Sequence, residues 1–327
     1  MTKRVILATI ALLAWASLAA CTKTVPDPST AADAPDKAAP GQKPKPEARP
    51  SEARTLKDIV YARVGGEKLE LDLYLPAGAA SGGVPLVIWI HGGGWRKGSR
   101  AGIADKAGPL LEAGFALASI DYRLTDAARF PAQIRDCLAA VRFLRANAAK
   151  YGLDPDRFGV WGASAGGHLA ALVGTAAGVA EFDQGPNAGV SARVQAVCDW
   201  FGPADLVKLQ AQMGAKPGMD HQGADSPEGK LVGGPLDKEP FRTRAVEASP
   251  VTYIDGSAPP FLIMHGDKDQ LIPLAQSQGL HQALVAKGID STFETVEGAG
   301  HGFEVSPAEA RRLVERVIAF FEKHLAP

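Results

Sequence analysis

From residue 58 onward the hydrophobic and polar positions change period several times, and each period predicts an element. Leu69, Leu71, Leu73 and Leu75 alternate with Glu70, Asp72 and Tyr74, the two-residue repeat of a half-buried antiparallel strand. Residues 58–64 precede it across Gly65-Gly66, a hairpin signal. Near-continuous apolar runs follow at 85–90, 115–120, 157–161, 194–200 and 260–265. Strands covered on both faces read this way, so these runs predict a parallel sheet, which 291–297 completes. Helical spacing is clearest at 131–151, where Ile134, Leu138, Val141 and Leu144 share a face and Pro131 opens the first turn. Further helices are predicted at 164–175, 273–287 and 306–324, the last with Ser306 as its cap. Strands alternating with helices imply an α/β fold with a mainly parallel central sheet and helices on both faces. Between 203 and 250 the alternation gives way to a Gly-, Pro- and Met-containing stretch too long for a plain connection, which predicts a small inserted cap.

The start of the chain has another character. Lys3 and Arg4 precede an apolar run over 5–20, the charged-then-apolar pattern of a secretory signal. Leu18-Ala19-Ala20-Cys21 resembles a bacterial lipobox, which implies a signal peptide at 1–20 and lipidation of Cys21. An ordinary signal peptide with an incidental cysteine, or an uncleaved anchor, is the alternative. Thr22 in place of an aspartate after the cysteine points to the outer membrane of a bacterial cell envelope, on its periplasmic or surface side. Residues 21–56 hold seven prolines and one large aliphatic, Val25, before Leu56, too little apolar surface to offset chain entropy. They are expected to be a disordered tether joining a membrane anchor to a body at 57–327.

The 327 residues are 46% hydrophobic, enough for one large core, and a net charge of −1 gives no electrostatic footprint for nucleic acid. Three cysteines exclude a disulfide framework and a multi-cysteine zinc site. Cys137 and Cys198, on a helix and in a strand, are expected as buried free thiols, with a disulfide in an oxidising compartment as the rival. No H-E-x-x-H or similar cluster argues for a metal, and no cofactor is expected.

The chemistry gathers at glycine-rich turns. Gly162-Ala163-Ser164-Ala165-Gly166 follows an apolar strand and opens a helix. A serine on that sharp turn projects its hydroxyl past the end of the sheet, and the helix N-terminus leaves the Ala165 amide free for a developing oxyanion. His91-Gly92-Gly93-Gly94-Trp95 follows another strand, and its glycines let amides converge, with Gly93 and Gly94 the expected donors. Glycine-rich loops also cradle phosphates, but neither G-x-G-x-x-G nor a Gly-Lys-Ser/Thr helix start is present. A serine hydroxyl needs a base oriented by an acid. Asp269, after the strand 260–265, is preferred to Asp267 as the acid because it lies deeper in the turn. His301, in Gly300-His301-Gly302-Phe303, is the expected base, and the order Ser164, Asp269, His301 is that of an α/β hydrolase.

Of seven histidines, the six besides His301 require elimination. His91 is read as bracing its loop and His168, one helical turn after Ser164, as a packing group. His265 lies within a strand, and His281 and His324 fall on helices without a suitable acid. His221, in the cap, is placed to touch substrate, but an exposed position is the commoner outcome.

Together with Asp121-Tyr122-Arg123-Leu124, Asp199-Trp200-Phe201-Gly202-Pro203, Ser226-Pro227-Glu228 and Gly233-Gly234, these motifs over about 57–325 resemble the α/β-hydrolase carboxylesterases. Within these they are similar to the hormone-sensitive-lipase-like group, and especially to its bacterial feruloyl- and acetylxylan-esterase-like branch. The resemblance implies that Ser164 is acylated, that His301 shuttles the proton, and that Asp269 fixes the imidazole tautomer. It further implies that Gly93, Gly94 and Ala165 hold the oxyanion and that Asp121 and Arg123 support loops. The expected substrates are small-molecule or polysaccharide esters with short acyl, acetyl or hydroxycinnamoyl groups. Trp95, where many lipase-like members carry Phe, is similar to aryl-formamidases and keeps amide substrates open. A serine peptidase of this fold and an idle surface-binding lipoprotein are the further alternatives.

Overall fold

The computed structural model describes residues 52–78, 82–213 and 220–326. The expected signal peptide, Cys21 and all but the end of the expected tether lie outside the described residues. At the N-terminal edge the hairpin forms as β1 (Arg54–Val64) and β2 (Glu67–Leu75), paired antiparallel. β1 begins three residues ahead of the expected body. Arg54 and Leu56 pair with Leu75 and Leu73, and Leu56 packs on the core, so the last residues of the expected tether belong to β1.

The remaining strands are β3 (Val84–Ile90), β4 (Ala116–Ile120), β5 (Leu153–Ala163), β6 (Ala196–Trp200), β7 (Phe261–Gly266) and β8 (Ser291–Val296). They form one eight-stranded sheet in the order β1-β2-β4-β3-β5-β6-β7-β8. Only β2 runs antiparallel to its neighbours β1 and β4, and every other pairing is parallel. β3 shows why these runs read as continuous: Leu86, Ile88 and Ile90 enter one apolar layer while Val87 and Trp89 enter the other.

Helices cover both faces. α1 (Ala104–Glu112) and α9 (Pro307–Leu325) share one layer, the latter through Leu313, Val317 and Phe321. α2 (Ala132–Ala146), α3 (Ala148–Tyr151), α4 (Ala165–Ala176) and α8 (Leu274–Ala286) supply the other. The single helix expected over 131–151 is broken at Asn147, whose side-chain amide donates to the Phe143 carbonyl at 2.8 Å and ends α2. Ser306 caps α9 as expected, its hydroxyl accepting from the Glu309 amide at 3.2 Å. Between β6 and β7 the described residues of the segment expected as a cap carry three short helices, α5 (Leu209–Met213), α6 (Pro227–Val232) and α7 (Phe241–Glu247). Cys137 in α2 and Cys198 in β6 are buried free thiols.

Candidate active site

Parallel strands all end on the same rim of a sheet, and side chains on the loops beyond them converge there. β5 turns into α4 at Ser164, whose backbone lies at φ +57°, a region that residues with a side chain avoid. The turn closes because its flanking glycines have no side chain. A Cβ on Gly162 would lie 2.1 Å from the Gly166 carbonyl oxygen, and one on Gly166 would lie 2.0 Å from that of Ile90.

Two loops bring in the partners. After β7, Asp269 Oδ1 accepts from the Leu271 and Ile272 amides at 2.8 and 2.9 Å, which fixes the carboxyl. After β8, His301 places Nδ1 2.7 Å from Asp269 Oδ2 and Nε2 2.9 Å from Ser164 Oγ. Ser164, His301 and Asp269 are therefore brought together in one continuous hydrogen-bonded chain. Nδ1–H donates to the carboxylate, which leaves the Nε2 lone pair to accept the serine hydroxyl. Asp267 faces away and accepts from the Gly298 amide at 2.6 Å, so it ties the β7 and β8 loops together instead. Burial pushes the Asp269 pKa up. Hydrogen bonds from His265 and His301, the His301 charge and the Ile272 amide outweigh burial and hold it well below the usual carboxylate range. Phe201 meets the His301 ring edge-on with centroids 4.8 Å apart, and Phe303 backs Phe201 at 4.7 Å.

The loop after β3 passes through three left-handed residues, Gly93, Gly94 and Trp95, at φ +112°, +62° and +56°. Both glycines and Ala165 line the same cavity as Ser164, and their amides take no backbone acceptor among the described residues. The loop is braced from both sides. His91 Nδ1 donates to the Gly92 carbonyl at 2.8 Å and its ring stacks on Tyr122 at 4.4 Å, the bracing role expected of it. The Trp95 indole donates to His168 Nδ1 at 3.2 Å, and His168 Nε2–H donates to the Ala248 carbonyl at 2.6 Å. His168 thereby joins the glycine loop to the end of the inserted segment, and burial holds its pKa down at about 4. Asp121 accepts from the Arg100 amide at 2.7 Å and Arg123 pairs with Asp136 at 2.7 Å, so both act on loops and not in the cavity.

The cavity has a volume of about 840 Å³ and an apolar wall of Trp200, Phe201, Leu271 and Ile272. Two histidines differ from the sequence reading. His221 is 5% exposed and lines the cavity beside Glu228, which corrects the expectation of an exposed side chain. That burial comes from tertiary packing, which no local sequence pattern reveals. His265 is more than a strand residue, since Nε2 lies 3.2 Å from Asp269 Oδ2 and Nδ1 2.7 Å from Ser277 Oγ. The two stand four residues apart across the turn, a spacing that permits the contact but does not by itself reveal it. His281 meets Ser291 at 2.9 Å and His324 lies 3.8 Å from Asp290, both away from the cavity. Among the described residues no three or more His, Cys, Asp or Glu side chains are grouped to hold a metal ion.

Strand order, the serine on the strand-to-helix turn and the loops that meet it define the α/β-hydrolase class. Within that class the chain belongs to the BD-FAE family, whose model matches residues 71–284. A dienelactone hydrolase family model also matches residues 245–325. Esterase LipQ of Mycobacterium tuberculosis is 31% identical over 280 residues, 82% of this chain and 62% of LipQ. A solved bifunctional GH43-CE protein of Bacteroides eggerthii is 36% identical, with a TM-score of 0.70 over 83% of this chain and 38% of that one. A truncated carbohydrate esterase from gut microbiota is 31% identical and superimposes with a TM-score of 0.70 over 85% of this chain and 100% of that one. The chain spans 51–62% of the length of the first curated relatives it matches.

Proposed function

We propose that this protein hydrolyses carboxylic esters through an acyl-enzyme on Ser164. The observation that carries the reading is the unbroken hydrogen-bonded chain from Ser164 Oγ through His301 to Asp269 at the wall of the cavity. His301 Nε2 takes the hydroxyl proton as Oγ bonds to the ester carbonyl carbon. The amides of Gly93, Gly94 and Ala165 receive the oxyanion, and each such donor is worth about 3 kcal/mol of barrier. Asp269 holds the Nδ1–H tautomer and stabilises the imidazolium. The tetrahedral intermediate collapses with cleavage of the carbon–oxygen bond to the alcohol, whose oxygen receives the proton from Nε2. A water, deprotonated by the same nitrogen, then attacks the acyl carbon, and the acid leaves as Ser164 regains its proton.

Membership in the BD-FAE family and likeness to carbohydrate esterases support small-molecule or polysaccharide esters with short acyl, acetyl or hydroxycinnamoyl groups as substrates. Ser164→Ala is expected to lower kcat/KM for p-nitrophenyl acetate by roughly four orders of magnitude or more with an unchanged circular dichroism spectrum. Turnover within a few-fold of wild type removes the mechanism.

The lipobox-like sequence at Cys21 supports anchoring at a bacterial outer membrane by an N-terminal lipid. Expressed in a bacterial host, Cys21→Ser is expected to move the protein from the membrane pellet to the soluble fraction. Retention in the pellet overturns the anchor.

A further inference from the structure

The cavity that opens on Ser164 has a polar wall for which the proposed chemistry has no use. His221 and Glu228 of the inserted segment line it, although only 5% and 1% of each residue is exposed. His221 Nδ1 lies 3.1 Å from Glu228 Oε1, close but poorly aligned for a hydrogen bond. Neither ring nitrogen of His221, nor Oε2 of Glu228, has a hydrogen-bond partner among the described residues.

Their backbones, by contrast, are firmly held. The His221 amide donates to Gln210 Oε1 at 2.7 Å. Ser226 caps the helix that carries Glu228 by accepting from the Gly229 amide at 2.9 Å. Pro227, between cap and glutamate, packs beside Gly94 of the candidate oxyanion loop. The pair is thus anchored beside the reacting end of the cavity, while its polar tips, buried from solvent, have no hydrogen-bond partner among the described residues. A buried ion pair whose remaining donors and acceptors lack partners is unfavourable, and a structural pair would be expected to satisfy them within the fold. Burial lowers the His221 pKa. The Glu228 carboxylate beside the ring, the Leu271 carbonyl and the Asp220 charge more than reverse this, so the ring keeps its proton to higher pH than an ordinary imidazole.

We infer that His221 and Glu228 form a specificity subsite that binds a hydroxyl group of the ester substrate. Nε2–H donates to the hydroxyl oxygen and Oε2 accepts its hydrogen. This rests on the ester-hydrolase reading of the same cavity. The hydroxyl belongs either to the sugar alcohol or to a hydroxylated aromatic acyl group.

Matched substrates with and without that hydroxyl test the inference. O-acetylated xylobiose is compared with cyclohexyl acetate, and methyl ferulate with methyl 3,4-dimethoxycinnamate, with p-nitrophenyl acetate reporting ester hydrolysis itself. The quantity read is the ratio of kcat/KM within each pair. The wild-type protein is expected to favour the hydroxyl-bearing ester roughly tenfold or more in at least one pair, which also identifies the source of the hydroxyl. His221→Phe and Glu228→Leu are expected to reduce that ratio roughly tenfold. Where these fail to fold, His221→Asn and Glu228→Gln take their place, and the wild-type preference stands as a measurement independent of any variant. Equal rates within both pairs for the wild-type protein overturn the inference. So do variants that slow all esters alike and leave the ratio intact, the behaviour of a merely structural pair. Turnover of p-nitrophenyl acetate with no hydroxyl preference removes this subsite alone, whereas no turnover of any ester removes the parent reading with it.

Discussion

Asp267 and Asp269 stand two residues apart in one turn, yet backbone geometry gives them different partners. The Leu271 and Ile272 amides hold Asp269 with its free oxygen on His301, while Asp267 pins the Gly298 amide of the neighbouring loop. Asp269→Asn keeps the shape but can present an N–H to Nδ1, which favours the wrong imidazole tautomer. It is expected to lower kcat/KM for p-nitrophenyl acetate by roughly 10³ to 10⁴, whereas Asp267→Asn lowers it by less than about tenfold. Equal losses in the two variants would remove the assignment of the acid. The choice was legible in the sequence because depth in the turn decides which carboxyl reaches across. His265, the second imidazole on Asp269, was not, because a histidine inside an apolar strand looks the same whether or not its ring turns to the carboxylate.

At the scale of elements, the strand-to-helix turn of β5 and α4 is the tightest constraint in the site. A methyl on Gly166 meets the Ile90 and His91 carbonyl oxygens at 2.0 and 2.6 Å, and backbone in the middle of the sheet has no room to withdraw. Gly166→Ala is therefore expected to destabilise the protein by about 3 kcal/mol or more, read from its urea midpoint. A loss under about 1 kcal/mol would mean the turn is looser than its geometry. Elements with a single clear period were legible, as β3 and α9 were, because burial on both faces or on one stripe writes itself into the spacing. α1 was not, since Gly108 and Pro109 interrupt its apolar repeat. The break between α2 and α3 escaped because apolar spacing runs on to Tyr151 while one side-chain bond at Asn147 ends the helix. α5, α6 and α7 are five to seven residues long, too short to show a period. The enclosure of His221 depends on how that segment folds back over the cavity.

At the scale of the whole molecule, two fully buried ionisable groups bear on the first turn of α4 beneath Ser164, and their responses to pH oppose each other. Asp199 Oδ1 accepts from the Gly202 amide at 2.9 Å and lies where a Cβ on Gly167 would sit. Burial raises its pKa from 3.8 to about 6, against the lowering effects of that amide and of His265. His168, the next residue of α4, is lowered by burial from 6.5 to about 4, partly opposed by the Ala248 carbonyl. Between pH 4 and 6 the folded chain keeps a proton on Asp199 that the unfolded chain has released, so this group's stabilisation falls as pH rises. Over pH 4 to 6.5 the unfolded chain binds a proton at His168 that the folded chain refuses, so that contribution rises with pH. Each shift corresponds to a few kcal/mol, so across this range the two groups bias the turn under the nucleophile in opposite directions. Removing one group exposes the other. Asp199→Asn keeps an acceptor for Gly202 and is expected to gain about 2 kcal/mol relative to wild type between pH 4 and 6.5, read from urea midpoints at both pH values. A difference between the two proteins that stays constant across that interval would show that Asp199 titrates alike in the folded and unfolded chains, and the opposition would be lost.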